Sequence, residues 1–258
     1  MKNLLFWLFS MTLFITPFQL DAQRNCASSD YLELQKQNDP KRIQSLDRIE
    51  EFTRQIEQTS FRAVDGIITI PVVVHVVYNT TAENVSTAQV QSQIDILNED
   101  FRRLNADADN AWSQADDTEI EFCLASVGPT GDATTGITRT QTSTTAFSYS
   151  SDAVKYTSSG GINAWPRAQY MNMWVCDISG GILGYAQFPG GAAATDGIVI
   201  DYAYFGNIGT VTSPFDLGRT ATHEVGHWLN LRHIWGDGGC SQDDLVSDTP
   251  ISDGANYG

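Results

Sequence analysis

The sequence predicts an α/β (α+β) fold, in which a β-sheet packs against long helices. Three observations indicate this class. Residues 67–78 form a continuous run of β-branched and apolar residues, typical of a strand buried on both faces. Ser86 and Gln89 then form a capping box, which marks the start of a helix. Strand-like apolar segments recur along the rest of the chain.

The helix after Ser86 has apolar residues at intervals of three and four. We expect its buried residues to be Val90, Ile94, Leu97, Phe101 and Leu104. Four further strands are predicted at about 118–126, 171–178, 182–188 and 196–202. The Ser/Thr-rich stretch at about 139–160 is expected to be a long surface loop.

Three of the four histidines in the chain lie between residues 223 and 233. His223 and His227 are spaced so that a helix places both imidazoles on one face. His233 comes six residues later and reaches the same point only if the chain turns first. Glu224 can contact a metal-bound water without ligating the metal. The pattern predicts a hydrolytic zinc site with three histidine ligands, an open fourth position and Glu224 as general base.

The alternative to this site is an ordinary amphipathic helix with two solvated histidines, and the third histidine argues against it. The fourth histidine, His75, lies inside the first predicted strand and is expected to be a core residue rather than a ligand. The motif helix is expected to begin near Ser213 and Pro214, as N-cap and first helical residue.

The segment Thr220–Leu229 resembles the active-site helix of the pappalysin (cytophagalysin) family of metzincin metallopeptidases. Three more segments are similar to that family: Ile70–Tyr78, its first strand; Leu97–Arg103, its first helix; and Gly184–Gly191, the strand beside its substrate cleft. The resemblance covers about residues 67–258. It implies a metzincin-type fold with a twisted five-stranded mixed sheet, an antiparallel edge strand and two long helices.

The resemblance also implies a zinc metalloendopeptidase, with His223, His227 and His233 as zinc ligands and Glu224 as general base. One position departs from the family. Metzincins have glycine where this chain has Asn230, at a turn that needs a positive φ. Asparagine tolerates that conformation better than other non-glycine residues, so we expect the turn to form.

The two ends of the chain differ from the rest. Residues 1–22 have the charged start and short apolar run of a secretory signal peptide, too short to span a membrane. Residues 23–66 are polar and predict a pro-segment, so residues 67–258 are the expected catalytic domain. Metzincins have a methionine turn after the third histidine, and no methionine follows Met173. We therefore expect a domain truncated before that turn, without its C-terminal subdomain. A diverged protein that never had the turn is the alternative.

The pro-segment has a weak helical pattern through Ile43, Leu46, Ile49, Phe52 and Ile56. It also contains Cys26. Metzincin pro-segments often place a cysteine at the open zinc position, so Cys26 is a candidate latency switch, and a cysteine without a metal role is the alternative.

Export permits disulfide bonds. Cys123 and Cys176 lie in predicted strands that could bring them together, although two free buried thiols are equally compatible with the sequence. If the chain is truncated, the partner of Cys240 is expected in the missing part of the protein.

The acidic segment after the motif offers hard oxygen ligands that suit calcium, namely Asp243, Asp244, Asp248 and Thr249. The resemblance implies calcium near this loop, whereas a solvated acidic turn is the alternative. The formal net charge of -16 excludes nucleic acid as a partner. We therefore expect a secreted enzyme that acts on protein or peptide substrates and has no membrane span. The rival interpretation is a non-catalytic secreted zinc-binding protein or an inactive fragment of a peptidase.

Overall fold

The computed structural model describes residues 25–58, 66–109 and 111–255. The predicted signal peptide lies outside the described residues. Four α-helices are formed by Ser28–Asn38 (α1), Lys41–Gln58 (α2), Thr87–Phe101 (α3) and Arg219–Trp228 (α4). Six strands are formed by Ile68–Tyr78 (β1), Ile120–Leu124 (β2), Ile137–Gln141 (β3), Met171–Cys176 (β4), Gly184–Ala186 (β5) and Ile198–Asp201 (β6).

The strands form one mixed sheet, in the order β2-β1-β4-β6-β5. β2 and β3 share one side of the long strand β1, since β2 pairs with its first half and β3 with its second half. The sheet is therefore five strands wide. All pairs are parallel except β5 with β6, which is antiparallel and places β5 at the edge. This confirms the predicted α/β architecture with an antiparallel edge strand.

The sheet has a buried layer on each face. On one face, Val72, Val74 and Val76 of β1 pack in a core that also contains residues of α3 and α4. On the other face, Trp174 and Tyr185 pack with residues that include Ala27 and Tyr31 from the start of the chain. Residues 25–58, here called the N-terminal segment, thus contribute side chains to the core of the domain.

His75 lies on β1 with no exposed surface. Its Nε2 is 3.1 Å from Oδ1 of Asn172, an acceptor, and its Nδ1 is 2.8 Å from the hydroxyl of Thr138. The ring also lies near the indoles of Trp165 and Trp174. Burial lowers the pKa of His75 to about 4, so its imidazole is neutral. His75 is therefore a core residue, as expected.

Two local predictions were wrong. The loop expected at about 139–160 begins inside β3, whose Thr-containing sequence pairs in parallel with β1. Threonine is β-branched and fits a strand when a neighbouring strand offers backbone partners. Leu104 was expected to be buried, but α3 ends at Phe101 and Leu104 is 73% exposed.

Of the two alternatives for Cys123 and Cys176, the structure shows free thiols, as it does for Cys26 and Cys240. Cys123 is on β2 and Cys176 is on β4, and β1 lies between these strands, so they cannot pair. Cys176 is buried, but Cys123 is exposed, so the alternative of two buried thiols was wrong for Cys123. In the part of the chain that the structure describes, no helix has the length and apolar character needed to cross a membrane.

Candidate metal centre and active site

The helix α4 carries the histidine motif and packs against α3, β5 and β6. It begins at Arg219, after Gly218 with φ 71°, rather than at Ser213 and Pro214 as predicted. Glycine is required at position 218 for two reasons. Its φ is positive, and a Cβ there would lie 2.5 Å from Cδ1 of Ile96 on α3. Close packing between the two helices therefore sets where α4 starts.

The three motif histidines converge on one point. Nε2 of His227 lies 3.0 Å from Nε2 of His223 and 3.2 Å from Nε2 of His233, and the last two atoms are 3.2 Å apart. His233 is held by stacking on the indole of Trp235, with ring centroids 4.4 Å apart. The structure thus brings together all three predicted zinc ligands.

The turn between His227 and His233 forms as predicted. Asn230 has φ 81°, which allows the chain to reverse after α4. The backbone nitrogen of Asn230 donates to the carbonyl of His227 at 2.9 Å, and that of Leu231 donates to the carbonyl of Gly226 at 2.9 Å. One atom remains unsatisfied, because Oδ1 of Asn230 is buried without a hydrogen bond. The side chain is tolerated here but poorly accommodated.

Two acceptors orient the ligand rings. Nδ1 of His227 donates to the carbonyl of Leu231 at 2.7 Å, and Nδ1 of His233 lies 2.6 Å from Oδ1 of Asp237. A proton on Nδ1 leaves the lone pair of Nε2 free, and acceptors of this kind commonly orient metal-binding histidines. Burial lowers the pKa of His227 to about 4, which keeps its imidazole neutral.

This donor set fits zinc. Three nitrogens bound to one ion at about 2.0–2.1 Å with tetrahedral angles lie about 3.3 Å apart. The observed separations of 3.0–3.2 Å agree with that value. Lone pairs at these distances repel one another unless a cation lies between them. The residues present therefore fit a zinc ion in a three-histidine site.

Glu224 lies beside this point and is only 1% exposed. Burial raises the pKa of its carboxyl group to about 7, although bonds from Ser28 and Cys26 and the charge of His233 lower it. A Cβ at Gly184 of β5 would lie 3.0 Å from Cγ of Glu224. Glycine at this position therefore lets the edge strand approach the carboxylate side chain closely.

The N-terminal segment passes through the same site. The Sγ atom of Cys26 and the ring nitrogens of His223, His227 and His233 all lie within 4.8 Å of one another. Sγ also lies 3.6 Å from Oε2 of Glu224. Burial and the charge of Glu224 raise the pKa of the Cys26 thiol. Cys26 and the three histidines therefore form a group of side chains that could hold a metal ion.

Backbone bonds hold this stretch against β5. The backbone nitrogen of Leu183 donates to the carbonyl of Asn25 at 3.0 Å, and that of Ala27 donates to the carbonyl of Gly184 at 3.1 Å. Cys26 pairs with Gly184 in parallel orientation. The outer edge of β5 is therefore already occupied.

Side chains of α1 and α2 fasten the rest of the N-terminal segment. Ser29 donates to Oδ2 of Asp237 at 2.6 Å. The guanidinium of Arg42 is buried and donates to the carbonyls of Phe188 and Pro189 at 2.7 and 2.6 Å. Glu50 accepts from Arg232 at 3.1 Å, in the turn that leads to His233. These contacts connect the segment to both sides of the candidate site.

The predicted calcium ligands form no comparable cluster. Oδ1 of Asp243 and Oδ1 of Asp244 accept backbone bonds from Leu245 and Val246, as in ordinary turns. Within the described ranges, the one grouping of three or more His, Cys, Asp or Glu side chains suited to a metal is Cys26 with the motif histidines. Calcium binding at Asp243, Asp244, Asp248 and Thr249 stays a prediction.

Sequence reasoning missed two residues of the site. Asp237 is the first acidic residue after His233, and a search for an acceptor for the third ligand would have found it. Ser28 donates to Oε2 of Glu224 at 2.6 Å. Its role depends on a contact with a residue 196 positions away in the sequence, which no local pattern predicts.

Comparisons with known proteins agree with this geometry. The model of the Peptidase_M43 family, described as pregnancy-associated plasma protein-A, matches residues 134–257. An extracellular metalloprotease of Pyricularia oryzae is 32% identical over 207 residues, which cover 76% of this chain and 61% of that protein. An extracellular metalloprotease of Arthroderma benhamiae is 28% identical over 212 residues. The chain spans less than two thirds of the length of either relative.

Two solved structures of Tannerella forsythia proteins are similar. Mature mirolysin in complex with a cleaved peptide is 54% identical, with a TM-score of 0.72 and coverage of 75% of each chain. A promirolysin mutant is 49% identical, with a TM-score of 0.81, and covers 90% of this chain and 78% of that one. By this similarity in sequence and structure, the chain belongs to the M43 (pappalysin) family of metallopeptidases.

Proposed function

We propose that this protein is a secreted zinc metalloendopeptidase whose N-terminal segment is a pro-segment that holds it latent. One observation carries the proposal. The Nε2 atoms of His223, His227 and His233 lie 3.0–3.2 Å apart, with the carboxylate of Glu224 beside them. The related proteins named extracellular metalloproteases support both the activity and the extracellular location.

The residues of the site have distinct roles. A bound zinc ion supplies Lewis acidity and lowers the pKa of water at the site. Glu224 accepts a proton from the attacking water and returns it to the leaving amine. In the latent form this carboxylate is buried and contacts Ser28 and Cys26. Asp237 and the carbonyl of Leu231 hold the ligand rings in orientation.

A protein substrate binds as an extended strand along the edge of β5. Gly184 supports this, because it brings the edge close to Glu224. The same edge is paired with Asn25 and Ala27 in the structure, so substrate and N-terminal segment compete for it. Activity therefore requires that the segment leave.

The test of activity is metal removal from the matured protein. Dialysis against a zinc chelator should abolish hydrolysis of casein, and stoichiometric zinc should restore it. His227→Ala should retain neither zinc nor activity. His75→Gln is the matched control and should retain both, because His75 lies in the core. Activity that survives complete removal of zinc contradicts the proposal.

One observation favours the rival function, a closed structural zinc site. With Cys26, the site has four protein ligands, as structural zinc sites do. Glu224 argues against it, since a structural site needs no proton acceptor. The two functions differ after the N-terminal segment is cleaved away. A latent enzyme gains peptidase activity, whereas a structural zinc protein loses a metal ligand and gains no activity.

Latency through Cys26 has its own test. Cys26→Ala removes the candidate fourth ligand, so the purified full chain should become active sooner than the unmodified protein. Cys123→Ala is the matched control, because Cys123 is also a free thiol but lies exposed on β2. An identical activation time course for Cys26→Ala and the unmodified chain would leave Cys26 without a role in latency.

We also propose that the protein binds calcium. This proposal rests on the resemblance to the pappalysin family and on the side-chain oxygens of Asp243, Asp244, Asp248 and Thr249. Binding there would hold the loop that follows His233. The matured protein should then melt at a higher temperature in calcium than in a calcium-selective chelator. Equal melting temperatures would end this proposal.

A further inference from the structure

Tyr31 of α1 is buried in a pocket formed by Asp152, Lys155 and Tyr185, at the face of the sheet opposite α4. This pocket is here called the Tyr31 socket. The side chain is 2% exposed. Its ring lies edge-on to Tyr185 of β5, with centroids 5.2 Å apart. Its hydroxyl donates to Oδ2 of Asp152 and accepts from Nζ of Lys155 at 3.2 Å. Burial and Asp152 raise the pKa of Tyr31, so the phenol stays protonated and can donate.

Several contacts within the socket do not involve Tyr31. Nζ of Lys155 lies 3.1 Å from Oδ1 of Asp152 and donates to the carbonyl of Thr195 at 3.0 Å. It also lies 4.9 Å above the ring of Tyr185, whose hydroxyl donates to Asp152 at 3.3 Å. The Lys155 side chain has no exposed surface. None of these contacts involves α1, so we expect them to persist when α1 is removed.

Loss of Tyr31 removes one hydrogen-bond partner from each of two polar groups, Lys155 and Asp152. An ammonium has three donors, and Lys155 would keep two of its acceptors, Asp152 and Thr195. Asp152 would lose the phenol that donates to it. In the vacated socket Lys155 can donate one further bond and Asp152 can accept one, beside the ring of Tyr185. The socket therefore favours a ligand with an aromatic ring and a hydroxyl at its far end.

The socket lies within reach of a peptide bound in the cleft. Tyr185, which forms one wall, directly follows Gly184, the residue against Glu224. Successive side chains of a strand point to opposite faces. A substrate strand beside β5 therefore presents alternate side chains to the metal centre and to the socket.

We propose that the Tyr31 socket is a specificity subsite of the mature enzyme, which receives a tyrosine side chain of the substrate. The proposal rests on the proposed peptidase function. The N-terminal segment then blocks the enzyme in two places, since Cys26 occupies the metal centre and Tyr31 occupies the side-chain subsite.

The test uses the matured enzyme without any change in the socket. A series of fluorogenic peptides carries a single tyrosine, phenylalanine or alanine at each position on either side of the scissile bond, which mass spectrometry identifies. At one position, tyrosine should raise kcat/KM at least about ten-fold over alanine, with phenylalanine in between, because a site built to bond a hydroxyl discriminates against its absence.

The outcomes separate this proposal from the peptidase function. Cleavage of the alanine peptides with no position that prefers tyrosine over phenylalanine overturns the subsite and leaves the function standing. No cleavage of any peptide overturns both.

A variant then locates the preference. Asp152→Asn should bring the ratio of kcat/KM for tyrosine and phenylalanine peptides close to one, and asparagine tolerates the φ of 52° at this residue. Asp116→Asn, at an exposed position, is the matched control and should keep the ratio. Because the ratio is taken within each variant, a general loss of activity does not affect it. A tyrosine preference that persists in Asp152→Asn places it elsewhere and overturns the assignment.

Discussion

The hydroxyl of Ser28 lies between Glu224 and the edge strand β5. Its Oγ donates to Oε2 of Glu224 at 2.6 Å and accepts from the backbone nitrogen of Ala186 at 2.7 Å. Ser28 has no exposed surface. The N-terminal segment therefore engages the proposed general base directly, as well as the metal centre through Cys26. It also satisfies the backbone nitrogen of Ala186, a donor on the edge proposed to bind substrate.

Ser28→Ala should weaken latency. The change removes the acceptor of the buried Ala186 nitrogen and leaves Cys26 as the remaining side-chain donor described for Glu224, which costs the latent form about 1–3 kcal/mol. Each 1.4 kcal/mol corresponds to a ten-fold change in the open population, so activation should begin sooner. The measurement is the activation time course of the full chain, with Ser45→Ala on α2 as control. Equal time courses for Ser28→Ala and the control would show that this contact does not maintain latency.

Asp237→Asn should lower the zinc affinity of the matured protein about 10- to 100-fold, because it removes the charge that orients His233 and increases its basicity. Asparagine suits the φ of 61° at this residue, so the backbone should be preserved. Titration against a competing chelator measures the affinity. An unchanged affinity would mean that stacking on Trp235 alone orients the ring.

Two substitutions of Asn230 by small residues should differ in their effect on stability. Asn230→Gly relieves the positive φ and removes the unsatisfied Oδ1, but it loses the bond from Nδ2 to Glu50 at 3.3 Å. We expect its stability to stay within about 1 kcal/mol of the original. Asn230→Ala keeps the unfavourable φ and should destabilise the latent chain by about 1–2 kcal/mol. Urea denaturation compares them, and equal stability of the two variants would contradict this account of the turn.

His75 predicts a dependence of stability on pH. Its pKa falls from about 6.5 to about 4 on folding, so protonation favours the unfolded chain. The contribution is complete above pH 6.5 and is lost as the pH falls toward 4, by up to about 3 kcal/mol. The partners described for its ring, Thr138, Asn172, Trp165 and Trp174, are uncharged. His75→Gln should lose less stability than the unmodified chain between pH 7 and pH 4.5. If the melting temperatures of the two proteins fall by the same amount between pH 7 and pH 4.5, this role of His75 is excluded.

The predictability of each feature depends on whether its cause is local. The spacing of the motif histidines and the turn at Asn230 involve neighbours along the chain, and both were predicted. The predicted start of α4 was wrong because close packing between Gly218 and Ile96 of α3 sets it. β3 was missed because its strand character depends on pairing with β1. Local sequence carries neither contact.

The N-terminal segment shows the same limit. The periodicity through Leu46 and Ile49 predicted α2, and Cys26 was identified by its place in a presumed pro-segment. The hydrogen bond between Ser28 and Glu224, like the placement of Tyr31 against Asp152 and Lys155, joins residues more than 100 positions apart. Only the folded arrangement reveals these contacts.

In the proposed mechanism, Glu224 transfers the proton while the three histidines hold the metal. The most direct test of this mechanism is to measure zinc content and kcat/KM together for matured Glu224→Gln. The substitution removes the proton acceptor but no metal ligand. The protein should keep one zinc per chain and lose at least about a hundred-fold in kcat/KM. Full peptidase activity in zinc-loaded Glu224→Gln would contradict the account.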